Sequence, residues 1–134
     1  GHRKTLSLID EHDDDGIAPA IRLHRLIRAF ALHHAADHTT ARIVNYELAS
    51  LTSEHLDEIR ALRREITRRV RAVIDDGVAA GAFATGDPRA VTLAILSMNI
   101  DIARWYVDGG SMQPDALADS YADLALRMVE ARPE

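Results

Sequence analysis

His34 and His38 stand four residues apart, a spacing that sets two imidazoles on one helical face within reach of one metal ion. A metal-binding bundle usually adds Glu-x-x-His pairs on two helices, and no such pair occurs in the sequence. No native metal is therefore expected, and His34 reads as a core or pocket-wall histidine. A second group, Arg60, Arg64, Arg68 and Arg71, lies on one side of a single helix, with Arg63 and Arg69 nearby. Either this face is solvated and paired with Glu58, Glu65 and Asp75, or its guanidinium forks meet the phosphates of an anionic ligand.

The third group is set in an apolar segment. Asn99, Asp101 and Arg104 interrupt the run 90–106, and each is costly to bury without a partner. Asp101 and Arg104 are three apart and can pair on one helix face. The alternative is a largely apolar cavity in which Asn99, Arg104 and Trp105 orient a ligand, walled by Met98, Ile102, Phe30, Ile27, Tyr46 and His34. Each of those walls, taken singly, is as compatible with plain core. No catalytic constellation accompanies them: there is no Gly-x-Ser-x-Gly elbow and no Gly-rich phosphate loop, and the paired acids sit in turns. The chain reads as a protein without enzyme activity, catalytic residues or cofactor.

The elements that position these residues are helices. The four prolines fall near helix starts or the chain end, and glycines gather between apolar-periodic segments. A short helix is expected over residues 3–12, ended by the acidic turn Asp13-Asp14-Asp15-Gly16. Ala20, Leu23, Ile27, Phe30 and His34 follow helical spacing after Pro19, and Ala41, Val44, Leu48 and Leu51 repeat it after Asp37. A long amphipathic helix begins at Thr52-Ser53-Glu54 and carries Leu56, Ile59, Ile66, Val70 and Val73 toward Gly81. Asp87-Pro88 opens the apolar helix that Gly109-Gly110 closes. Pro114 opens the last, with Leu117, Tyr121, Leu124 and Met128 as its seam. The expected fold is an all-α bundle of about six helices.

The apolar helix must be covered on several sides. Either it is central in its own domain, or it and the last helix pack against their symmetry mates, with Ile95, Leu117, Tyr121, Leu124 and Met128 at a four-helix interface. Length permits one domain over residues 3–134, and Gly1-His2 reads as an expression scar. With no cysteine, disulfides and thiolate metal sites are excluded, and a reducing cytoplasm is compatible. No apolar stretch is long enough to span a bilayer. The net charge of −5 argues against nucleic-acid binding through the overall field of this chain.

The run Asp75-Asp76-Gly77-Val78-Ala79-Ala80-Gly81-Ala82-Phe83, followed by Asp87-Pro88-Arg89-Ala90, resembles the junction between the seventh and eighth helices of TetR-family regulators. Ala103-Arg104-Trp105-Tyr106 leading to Gly109-Gly110, the stretch from Leu117 to Arg127, and Ala41-Arg42-Ile43-Val44-Asn45-Tyr46-Glu47-Leu48 are similar to a branch containing steroid-degradation repressors that respond to CoA thioesters. The resemblance implies an effector-binding and dimerisation domain, cytoplasmic and homodimeric. Its effector would be a hydrophobic small molecule, such as an acyl-CoA or a steroid-derived CoA thioester, and Arg104 and Trp105 would lie at the effector pocket. It also implies that DNA is contacted only through an N-terminal helix-turn-helix head, for which nothing before residue 35 has the length. The rival reading is a free-standing helical interaction or metal-binding bundle.

Overall fold

Four helices form the body of the computed structural model, which describes residues 3, 4, 6, 7, 9, 16–36, 53–106 and 110–133. They are α1 (Pro19–Ala36), α2 (Ser53–Ala79), α3 (Pro88–Trp105) and α4 (Pro114–Met128). The chain is all-helical as expected, but about six helices is more than the described residues show. Residues 3, 4, 6, 7 and 9 are helical, while the helix expected around Ala41, Val44, Leu48 and Leu51 lies outside the described residues.

Local chemistry sets the helix ends. Pro88 and Pro114 occupy first-turn positions, where a missing N–H costs nothing, and the Asp87 side chain caps α3 by accepting from the Ala90 N–H at 3.1 Å. The end of α2 is a Schellman motif. The Ala82 N–H donates to the Gly77 carbonyl and the Gly81 N–H to the Val78 carbonyl, with Gly81 at φ +77°. The end of α4 repeats this motif with a non-glycine residue. Ala131 donates to Leu126 and Glu130 to Arg127, and Glu130 takes φ 55°.

These two helix ends are joined to each other. Phe83 and Ala131 form an isolated antiparallel bridge, Ala84 donates to the Glu130 carbonyl, Thr85 to Val129, and Arg132 to Ala82. The C-terminal segment is thereby fastened to the corner between α2 and α3. Phe83 fills that corner, buried at 2% exposure against Gly77.

The helices enclose two apolar clusters. One gathers Ile9, Leu23, Leu26, Ile27, Phe30, Val70, Val73, Ile74, Phe83, Ile95, Leu96 and Val129 among others; the second holds Ala31, Ala35, Ile102, Tyr106, Leu117 and Ala118. α1 and α4 make the most extensive pairing. Alanines dominate it, with Ala31 and Ala35 on α1 and Ala118, Ala122 and Ala125 on α4, all fully buried. Small side chains let the two backbones approach closely, and ion pairs border the contact. Arg28 reaches Asp119 at 2.7 Å and Asp115 at 3.2 Å, and His24 reaches Asp123 at 3.2 Å. A second tie, from buried Arg22 to Asp76 at 3.0 Å, joins α1 to α2.

Candidate functional site

The core side of α3 runs through Thr92, Ile95, Asn99, Ile102 and Tyr106, at the three- and four-residue steps of one helical face. Asn99 is the polar residue at its centre, fully buried. Its Nδ2 donates to the Ile95 carbonyl at 2.8 Å. Its Oδ1 has no hydrogen-bond partner, and among the described residues it is the one buried side-chain nitrogen or oxygen in that condition. The other buried polar groups are engaged: Thr92 Oγ1 donates to the Pro88 carbonyl at 2.7 Å, Thr85 Oγ1 accepts from the Asp87 N–H at 3.2 Å, and Arg22 holds Asp76. A buried acceptor left without a donor costs about 1–3 kcal/mol, so Asn99 is a local exception that calls for an explanation.

Asn99 also marks a boundary in the core. Ile95 and Leu96 before it belong to the cluster containing Ile27 and Phe30; Ile102 and Tyr106 after it belong to the other. Of the expected pocket walls, Ile27, Phe30 and Ile102 are buried, and Met98 packs partly buried against the first cluster. His34 is half-buried on α1, its Nδ1 donating to the Phe30 carbonyl at 2.7 Å and its ring meeting Phe30 and His33 edge-on. That arrangement fits a wall histidine held by its own helix. Tyr46 and His38 lie outside the described residues.

Arg104 and Trp105 are not brought together with Asn99. The Arg104 side chain is 74% exposed and forms a bidentate pair with Asp101 at 2.7 and 2.9 Å. Its hydrogen bond, together with its charge, holds the Asp101 carboxyl below the usual carboxylate range. This is the local pairing that the three-residue spacing allows. Trp105 is exposed on the outside of the same helix end, tilted against Tyr106. The arginine face of α2 is likewise partly self-paired: Arg68 and Arg69 meet Glu65, and Arg71 meets Asp75 at 2.9 Å.

The expected interface residues divide. Ile95 and Leu117 are fully buried within the chain, Ile95 in the cluster with Phe30 and Leu117 in the cluster with Ile102, so neither has surface left to offer a second chain. Tyr121 and Met128 are half-buried, and Leu124 is 40% exposed. Burial and the neighbouring Asp101 carboxylate push the Tyr121 phenol above its ordinary value. Sequence reasoning missed Leu93 and Ile100, both exposed on α3, although their seven-residue spacing puts them on one face. It also missed the α1–α4 ion pairs, whose signal was the four-residue repeat Asp115, Asp119, Asp123.

Residues 16–129 match the family model described as the tetracyclin repressor-like C-terminal domain. The chain belongs to this family of C-terminal domains of TetR-type transcriptional regulators. It is similar to a bacterial regulatory protein of the tetR family from Rhodococcus, with 36% identity and a TM-score of 0.91 over 98% of this chain and 70% of that one. The TetR family transcriptional regulator PfmR from Thermus thermophilus is 25% identical, with a TM-score of 0.86 over 94% of this chain and 69% of that one. A TetR/AcrR-family regulator from Thermobifida fusca shares the fold at 22% identity, with a TM-score of 0.73 over 93% of this chain and 70% of that one. No curated protein matches the sequence.

Proposed function

We propose that this domain senses a hydrophobic small molecule and dimerises, as one half of a TetR-like transcriptional repressor. The observation that carries the sensing part is Asn99, a buried amide with an unused acceptor amid apolar side chains. Ligand sites in folded proteins are mostly apolar with a few fixed polar groups, and Asn99 has that setting, on α3 between the cluster with Ile27, Phe30 and Met98 and the cluster with Ile102. His34 stands at the side of this interior. Arg104 and Trp105 lie at its outer end, where they meet a ligand's projecting polar part, such as the phosphates of an acyl-CoA or steroid-derived CoA thioester.

The dimerising part rests on exposed apolar surface on the last two helices. Leu93 and Ile100 on α3 and Leu124 on α4 take the interface role, with Tyr121 and Met128 at its margin. In the intact repressor the paired domains set the spacing of two DNA-binding heads, matched to successive major-groove half-sites. The effector works by binding the DNA-incompetent state more tightly; equal affinity for both states shifts nothing.

A thermal-shift panel of free fatty acids, steroids and acyl-CoA thioesters on the purified chain tests the sensing role. A selective, concentration-dependent rise in melting temperature is expected by mass action. A flat response across all three classes would overturn that role. A clear shift with an uncharged compound and none with any CoA thioester would remove the CoA class alone.

A further inference from the structure

We infer that Asn99 selects effectors carrying a hydrogen-bond donor, a hydroxyl or an amide N–H, at their buried end, an inference that rests on the effector-site reading above. The orientation of the amide decides this. A backbone carbonyl only accepts, so the group 2.8 Å from the Ile95 oxygen is the amide NH2; the flipped amide would set two lone-pair oxygens against each other. Oδ1 is consequently fixed on the side away from that carbonyl, in an interior where Asn99 has no solvent contact. Oδ1 is an acceptor only, and the one donor beside it is the second hydrogen of Nδ2.

The neighbours on α3 leave the demand unmet. Ile95 and Ile102 flank Asn99 on the core face, and neither side chain has a donor. Arg22, the buried cation, is engaged with Asp76. Its neighbours close Asn99 off completely, so a ligand hydroxyl or amide N–H that parts them would complete the Oδ1 hydrogen bond in a setting of low dielectric, where such a bond is strong and its absence expensive. A ketone, ether, ester or carboxylate brings only lone pairs, which can take the second Nδ2 hydrogen but leave Oδ1 without a donor, and the carboxylate adds a negative charge. Sites built to hydrogen-bond a substrate group reject the analogue lacking it far more sharply than apolar pockets reject a methylene. Asn99 is thus a specificity-determining residue.

Two matched pairs test this on the full chain by calorimetric titration: a hydroxysteroid with the ketosteroid of the same skeleton, and a primary aliphatic alcohol with the methyl ether of the same chain length. The donor-bearing member of a binding pair is expected to bind roughly tenfold or more tightly. In Asn99→Leu, which keeps the branched outline and replaces both polar atoms by methyl groups, that preference is expected to vanish. Equal or tighter binding of the ketone or ether overturns the inference and leaves the sensing role standing, as does a preference that persists in Asn99→Leu. Failure of both donor-bearing compounds to bind overturns the inference, whereas the sensing role falls only with a flat response across the whole thermal-shift panel.

Discussion

A Cβ built on Gly77 would lie 2.1 Å from Phe83 Cδ2 and 2.2 Å from Cε2, far inside van der Waals contact. Phe83 is buried in the corner and cannot swing aside without opening the core, so Gly77→Ala should destabilise the chain by about 1–3 kcal/mol, as overpacking does. Urea denaturation reads this as a lower midpoint with unchanged slope, and an unchanged midpoint would show that the corner is soft. The sequence marked Gly77 only as part of the run from Asp75 to Phe83, because close approach of an aromatic is a tertiary fact. Gly81, the residue that needs positive φ, was legible from its place past a helix end. Asn99 was legible as a residue costly to bury, and Asp101 with Arg104 as a possible pair. What sequence could not supply was direction: Arg104 stands five residues after Asn99, about 140° round the helix, and therefore turns outward.

Among the elements, α1, α3 and α4 begin at Pro19, Pro88 and Pro114, as proline at first-turn positions suggested. The faces were harder. On α4 the large residues Leu117, Tyr121, Leu124 and Met128 made the visible stripe, yet of these Leu117 alone is fully buried, and the other buried residues are Ala118, Ala122 and Ala125. The two stripes are offset by roughly a quarter turn. Size-weighted periodicity finds leucines; close helix pairing uses alanines. The C-terminal end of α4 invites a stabilising change, since Glu130 adopts the left-handed conformation that disfavours side chains. Glu130→Gly should raise stability by up to about 1 kcal/mol, the relieved strain being partly offset by a more flexible unfolded chain. A denaturation midpoint below the wild type would mean that the Glu130 side chain contributes more than its backbone costs.

For the whole molecule, family and fold class were legible because the junction around Gly81 and Asp87-Pro88 is local grammar, and local grammar survives in a single sequence. The inward side of α3 was not legible, since a helix apolar nearly all round does not say which side is covered from within. α3 resolves this by placing Ile95, Leu96 and Ile102 inward and Leu93 and Ile100 outward. Replacing Ile100 and Leu124 together with glutamate should convert the proposed dimer to a folded monomer, read by sedimentation at micromolar concentration with helicity retained. A double variant that stays dimeric would place the interface elsewhere.

Effector sensing by the interior around Asn99 is most directly tested by the melting temperature of the purified chain against rising concentrations of steroids, fatty acids and acyl-CoA thioesters. A selective rise that grows with the logarithm of concentration is predicted for at least one class. A melting temperature that stays fixed for every compound would contradict it.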